Sequence, residues 1–367
     1  MKDIRIHEVL VKKRKARGLT QDALAEEMGV TKASVSKWET GQSYPDIMLL
    51  PRLATFFNIS IDELMGYTPQ MDAAGIRRSY EYFSKKFAKE EFTVVYEEVK
   101  DFIKKYYACF PCLVQMMVLL INHHMLAKEE SLKKEVLGEI ITIARHIKEE
   151  SQDLWLTKQA NSFEATAQML LGEPLEVLEL LDGTLLPIGG DEVLLASAHQ
   201  MRGEIDEAIH VLQVSLYQHV MNYLSMGASY LQLVAADEEA FGEGVKRFFP
   251  VAKAMNLLKL HPNIEGQLTF SAAHGYMVQG KKEEALGMLK SYVKACEEIK
   301  FPFKLQGDTF FKTLEPWLEN LDLGTMAPRD EKVIKDGMIM AVKNHPLFQS
   351  LQEEPDFLHV LRRLEEL

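Results

Sequence analysis

The chain has 367 residues, of which 47% are hydrophobic and 26% charged, with three cysteines and a formal net charge of −12. That length holds two or three domains with cores large enough to need no disulfide staples, and three cysteines cannot pair fully, so a reducing cytoplasm is the expected setting. The opening MKDIRIHEVLVKKRKARG has no apolar signal region, and no run approaches the roughly 18 apolar residues of a membrane span, the nearest being Cys112 to Ile121.

The first elements are short and helical. Ile4 to Arg17 reads as a helix that ends in Lys12, Lys13, Arg14, Lys15 and Arg17. Those cations suit the negative end of a helix dipole, and they also suit phosphates. Gly18 to Gly41 (GLTQDALAEEMGVTKASVSKWETG) then reads as two helices around a tight turn. Thr20 and Thr31 are placed as N-caps, and Gly29 as the left-handed residue that ends the first helix. Leu24, Ala25 and Met28 make one apolar face, and Val35 and Trp38 make another. Lys32, Ala33, Ser36 and Lys37 stay on or near the opposite face. A second helix set steeply after a short turn can enter a DNA major groove. Pro45-Asp46 opens a further helix through Phe57, and Ser60 and Glu63 are spaced as a capping box for a fifth.

Five short helices within residues 1–66 resemble the lambda-repressor-like (Xre) DNA-binding domain. The matching residues include Leu19-Thr20-Gln21, Leu24-Ala25, Met28-Gly29-Val30-Thr31, Val35-Ser36-Lys37-Trp38-Glu39 and Tyr44-Pro45. The resemblance implies that Gln21, Thr40 and Gln42 hold phosphates and that Thr31, Lys32, Ala33 and Lys37 face bases, with Ser36 beside them. It also implies an internal ion pair between Arg14 and Glu39. Ala33 can touch a thymine methyl but cannot hydrogen-bond a base, so part of the specificity would come from DNA shape. Residues 1–66 carry 10 Lys/Arg and 9 Asp/Glu, and the remainder carries 32 and 45, so the acidity belongs to the second part of the chain. A neutral head with one basic face still binds DNA by local charge.

Residues 67–75 (YTPQMDAAG) read as a hinge, and residues 76–325 as an all-α repeat array. GEPLEVLELL from Gly172, GEIDEAIHVL from Gly203 and GKKEEALGML from Gly280 share a pattern. Each is preceded at seven residues by Ala165, Ala196 or Ala273 and at five by Ala167, Ala198 or Gly275. Small side chains allow close helix approach, the later Gly allows the turn, and Val177, Ala208 and Ala285 hold the matching place on the second helix. The spacings of 31 and 77 residues leave room for a degenerate unit near Ala235 to Phe249. The pattern resembles tetratricopeptide repeats, which stack into a superhelix with a concave face. HPLFQSLQ from His345 and EPDFLHVL from Glu354 read as capping helices within residues 326–367.

Among chemical motifs, Cys109-Phe110-Pro111-Cys112 is open to three readings: a redox switch, half of a metal site with His123 and His124, or two small buried thiols at a helix junction. No nucleophile, P-loop or metalloprotease pattern occurs, and no enzyme, cofactor or metal is expected. Met116, Met117, Met125, Met169 and Met201 are expected as core filler. Asn161, Asn222, Tyr223 and Tyr230 are candidate ligand residues, because Asn offers a peptide backbone one donor and one acceptor. A lambda-repressor-like head on such repeats resembles the cytoplasmic RRNPP peptide-sensing regulators. That resemblance implies a homodimer on a symmetric operator, with a short peptide in the groove. Two alternatives stay open: repeats that serve only dimerisation or a protein partner, and a CxxC redox sensor.

Overall fold

The computed structural model describes residues 4–67, 70–185 and 190–367; Thr68 and Pro69 of the expected hinge, and residues 1–3 of the expected head, lie outside them. The head holds α1 (Ile6–Ala16), α2 (Gln21–Met28), α3 (Lys32–Glu39), a 3-10 turn (Ile47–Leu49) leading into α4 (Leu50–Phe57), and α5 (Ile61–Met65). The local signals form as read. The Thr20 hydroxyl accepts from the Ala23 N–H at 3.1 Å, the Thr31 hydroxyl from Ser34 at 3.2 Å, and the Ser60 hydroxyl from Glu63 at 3.0 Å. Gly29 sits at φ 69°, where a side chain is disfavoured, and lets α2 stop within one residue of the turn. The expected capping box is half formed: the Glu63 carboxylate reaches the Lys13 ammonium at 2.6 Å, an ion pair that sequence spacing does not reveal. Leu10, Leu24, Val35, Leu53 and Leu64 are fully buried with Trp38 in one core, each worth about 1.5–3 kcal/mol of transfer free energy.

One buried network sets how α1, α2 and α3 meet. The Arg14 guanidinium forks onto the Glu39 carboxylate, with Nη2–Oε2 at 2.9 Å, while its Nη1 donates to the Leu19 carbonyl at 2.7 Å. The Gln21 amide nitrogen donates to the same Glu39 oxygen at 2.9 Å. The two charged side chains are only 12% and 4% exposed, so neither ion could be left alone there. Burial by itself would raise the Glu39 pKa, but the hydrogen bonds from Arg14 and Gln21 and the nearby positive charge outweigh it and hold the carboxyl below its usual range. Arg17 lies over the Phe56 and Phe57 rings at 5.1 and 5.7 Å. Of the basic end of α1, Lys13, Arg14 and Arg17 are therefore engaged inside the head.

The chain divides into two compact units: Met1–Tyr80 with Glu91–Leu120 and Glu129–Glu173, and Glu81–Glu90 with Ile121–Lys128 and Pro174–Leu367. The helices beyond the head are α6 (Ala73–Phe87), α7 (Phe92–Lys105), α8 (Phe110–His123), α9 (Glu130–Glu150) and α10 (Leu154–Leu171). In the first unit α9 and α10 pack side by side, and the buried Glu164 of α10 takes Arg145 at 2.9 Å and Lys148 at 2.6 Å from α9. The second unit adds α11 (Pro174–Leu180), α12 (Asp191–Met201), α13 (Ile205–Leu233), α14 (Glu238–Ala254), α15 (Leu257–Leu260), α16 (Pro262–Val278), α17 (Lys282–Glu298), α18 (Glu315–Asn320), α19 (Glu331–Lys343) and α20 (Pro355–Glu365). Among the described residues the only extended pairing is an isolated bridge between Lys304 and Met326, so the fold is all-α.

The repeated glycines end helices as their spacing requires. Gly172, Gly203 and Gly280 all take left-handed φ, at 82°, 80° and 74°. The small residues mostly mark close approach: Ala165, Ala167, Ala196 and Ala273 are buried, while Ala198 is exposed. α13 runs for 29 residues and packs against both α12 and α14, and the long 77-residue interval between Gly203 and Gly280 holds α13, α14, α15 and α16. Gly275 of α16 faces the buried Phe241 ring of α14 so closely that a Cβ would fall 2.0 Å from it. Phe348 and Phe357 from the two tail motifs are buried against Leu286, Leu289 and Val293 of α17. The methionine reading needs correction: Met116 and Met117 are fully buried, but Met125, Met169 and Met201 are 45–89% exposed, because they fall off the apolar faces of their helices.

Two stability outcomes follow from this packing. Gly275→Ala overpacks the α14–α16 contact and lowers denaturant stability by about 1–3 kcal/mol. Arg14→Ala leaves Glu39 buried without its counter-charge and destabilises the head by about 3 kcal/mol, read as faster hydrogen exchange in α1–α3 of the full chain. Because the folded Glu39 pKa lies below the unfolded one, its stabilisation is complete above the ordinary carboxylate range and is lost as pH falls through the depressed value. Glu39→Gln removes that part of the acid sensitivity, and an acid-unfolding curve for the head identical to that of the parent protein would exclude the role given to the pair.

Candidate nucleic-acid interface and ligand groove

On the head, α3 presents a polar face outward. Thr31, Lys32, Ala33, Lys37, Thr40 and Gln42 are exposed, Ser36 is half-buried, and Val35 and Trp38 anchor the opposite side in the core. Several of these side chains are already occupied. The Thr31 hydroxyl caps α3 and lies 2.9 Å from the Ser34 hydroxyl. The Thr40 hydroxyl donates to the Ser36 carbonyl at 2.9 Å. The Lys32 ammonium sits 2.6 Å from the Asp22 carboxylate of α2, with both side chains largely exposed. Lys37 has no ion-pair partner among the described residues. Gln21 is half-buried and bonds Glu39 through one hydrogen of its NH2 group; a phosphate contact would use the other.

Two participants escape sequence reasoning. Asp22 tempers the charge of Lys32 from another helix, a pairing no local spacing announces. Arg52 of α4 donates to the Glu27 carbonyl at 2.6 Å and the Met28 carbonyl at 3.4 Å, satisfying carbonyls at the end of α2 just before the turn.

The four expected ligand residues do not form one cluster. Asn161 lies on α10 in the first unit, where its Oδ1 accepts from Lys148 at 3.3 Å. Asn222 is exposed on α13 in the second unit. Tyr223 and Tyr230 of α13 turn toward Phe248 of α14, with ring centroids 5.3 and 6.2 Å away. They flank Gly227 and Gly244, whose missing side chains let the two helices close on that ring.

A cavity of about 340 Å³ opens on another face of α13, bounded by α16, α17 and α19. Ser225, Ser229 and Gln232 line it from α13, and Asn263, Gln267 and Ser271 from α16. Asn222 stands one turn before Ser225 on the same face. Gln232 donates to the Ser271 hydroxyl at 3.0 Å. Ser225, Ser229, Asn263 and Gln267 have no side-chain hydrogen bond among the described residues, so two hydroxyls and two amides face the cavity with their donors and acceptors available. These residues repeat at three- and four-residue spacing along their helices, which is the only sequence signal they carry.

The cysteines offer little chemistry. Cys109 and Cys112 are fully buried, and the Met71 N–H donates to the Cys109 sulfur at 3.4 Å. The hydrogen bond between the two thiols, together with burial, pushes the Cys112 thiol far up, which suppresses the thiolate that redox exchange and metal binding need. His123 is buried and stacked on Phe87 at 4.9 Å. Among the described residues no three His, Cys, Asp or Glu side chains converge as a metal site, and no helix is long and apolar enough to cross a membrane.

A family model described as helix-turn-helix matches residues 10–64. The HTH-type transcriptional activator BcrR of Enterococcus faecalis is 41% identical over 59 residues, covering 16% of this chain and 29% of its own length. The cryptic phage CTXphi transcriptional repressor RstR of Vibrio cholerae is 40% identical over 63 residues, 17% of this chain and 56% of its own. The chain thus spans from under a third to just over half the length of these relatives. Among solved structures, Bacillus thuringiensis PlcR in complex with the peptide PapR7 and DNA aligns over 98% of this chain and 99% of that one, at 14% identity and a TM-score of 0.26. The capped helices, the left-handed Gly29 between them and the outward face of α3 agree with the family match: residues 10–64 are a helix-turn-helix domain.

Proposed function

We propose that this chain is a sequence-specific DNA-binding regulator of transcription, working in the cytoplasm as a homodimer, whose repeat region binds a short peptide that alters DNA binding. Residues 1–66 would be the reading head, 67–75 the hinge, 76–325 the tetratricopeptide-like array and 326–367 its cap. The observation that carries the DNA part is the face of α3, which keeps Lys32, Ala33 and Lys37 in solvent while Val35 and Trp38 hold the helix in the core. Lys32 and Lys37 would meet base edges, Ala33 a thymine methyl, and Gln21, Thr40 and Gln42 the phosphates on either side. With so few strong base contacts, two heads on one symmetric site would supply affinity that a single head lacks.

The peptide part is supported by the available amides and hydroxyls of Ser225, Ser229, Asn263 and Gln267, which match the donors and acceptors of an extended main chain. Such a ligand acts only if it binds two head arrangements unequally, because equal affinity shifts nothing. One relative is named an activator and the other a repressor. The shared head is therefore taken to supply the address and not the sign of regulation.

The reading is tested on an operator selected from random duplex DNA. Lys32→Ala with Lys37→Ala should weaken binding more than tenfold with the helical content unchanged, at about 1–3 kcal/mol for each good base contact. Equal affinity in the double variant refutes the recognition helix. Asp22→Asn has the opposite sign: by releasing Lys32 it should strengthen binding severalfold at low salt, and the gain should shrink as salt rises.

A further inference from the structure

The groove bounded by α13, α16, α17 and α19 is polar without being charged. Among its fifteen lining residues are hydroxyls, amides, a phenol and a thiol, but no Asp, Glu, Lys, Arg or His. At the 26% charged content of this chain, about four of fifteen would carry charge. The charge is displaced to one end. A neighbouring cavity of about 270 Å³ shares Cys296, Ile299 and Met338 with the groove, so the two adjoin along those residues, and it is lined as well by Glu297, Lys300, Glu331 and Lys335. Two of those charges pair with each other, and the other two are held by neighbouring groups. Lys335 pairs with Glu331 at 2.6 Å and lies over the Phe301 ring, Lys300 donates to the Glu297 carbonyl at 2.6 Å, and Arg363 holds the Glu297 carboxylate. None of the four lines the groove itself.

Building on the peptide reading above, we infer that the groove selects a ligand whose inner residues are uncharged, with charged residues confined to the end that emerges beside Lys300 and Lys335. An ionised side chain entering the groove would give up water and meet no opposite charge, whereas a neutral main chain exchanges water for amide and hydroxyl partners at little net loss. Ala228 and Ala341 put only methyl groups on the walls, and Phe270 and Tyr292 add aromatic rings, so small, aliphatic or aromatic side chains fit beside the main chain. The selection acts by excluding charge, which is a device for specificity as much as any added contact.

The test is affinity selection on immobilised full-length protein from a degenerate library of acetylated, amidated hexapeptides, with retained sequences read by mass spectrometry. Interior positions of retained peptides should be depleted at least tenfold in Asp, Glu, Lys and Arg relative to the input, with charge tolerated at one end. Retention of peptides with charged interior residues at input frequency overturns the inference while leaving peptide binding intact. No retention at all overturns the peptide reading on which it rests. Gln267→Glu places one negative charge in the groove at an exposed position with no side-chain partner to lose, so folding is preserved. That variant should enrich Lys and Arg at interior positions severalfold, and an unchanged selection would show that peptides bind elsewhere and overturn the assignment.

Discussion

The fork between Arg14 and Glu39 is the constraint on which the outward face of α3 depends. Arg14 comes from the last turn of α1 and Glu39 from the last residue of α3, while Leu19 and Gln21 bring in the loop and the start of α2. Three helices of eight to eleven residues have too little length to hold their own angles. A buried, bidentate pair with a third donor gives them one shared geometry, because any other angle strands a charge in the core. The same pair removes Arg14 from any role with phosphate. Lys13 and Arg17 are similarly engaged, by Glu63 and by the Phe56 and Phe57 rings. What looks like a basic patch at the end of α1 is largely internal bracing, and the positive charge offered outward narrows toward α3.

The second unit is organised by close approach rather than by charge. Gly275 admits Phe241 between α14 and α16, and Gly227 and Gly244 admit Phe248 between α13 and α14. At these glycines each ring packs as a wedge directly against the facing backbone. On the other face of α13, small and polar residues opposite α16 leave a groove. The placement of Tyr223 and Tyr230 follows directly: they frame the wedge and so are turned away from the groove. Tyr230 and Gln232, two residues apart on α13, thus serve opposite sides of the packing, one closing the contact with α14 and the other lining an open surface.

What was legible in the sequence was what is local. Thr20, Gly29, Thr31 and Ser60 act on backbone atoms within three residues, so their identities and spacing are enough to place helix ends. Gly172, Gly203 and Gly280 were legible for the same reason, since a left-handed residue after a helix needs no distant partner. The failures share the opposite cause. Glu63 chose Lys13 over its capping box, and Ala198 stayed in solvent although its register predicted contact. In each case the competing partner or the missing neighbour lies on another element.

By itself the sequence determined an all-α chain, a helix-turn-helix near the start with its caps and its buried and outward faces, and the turns of the repeat array. These rest on period, capping and backbone conformation, which act over a few residues. Only the tertiary structure decided that Gln21 braces Glu39, that the CxxC thiols are buried, and that the groove is lined by Ser225, Ser229, Asn263 and Gln267 while Tyr223 and Tyr230 face α14. Those outcomes depend on which faces meet across tens of residues, and a single amide or hydroxyl on a helix carries no mark of the neighbour it will face.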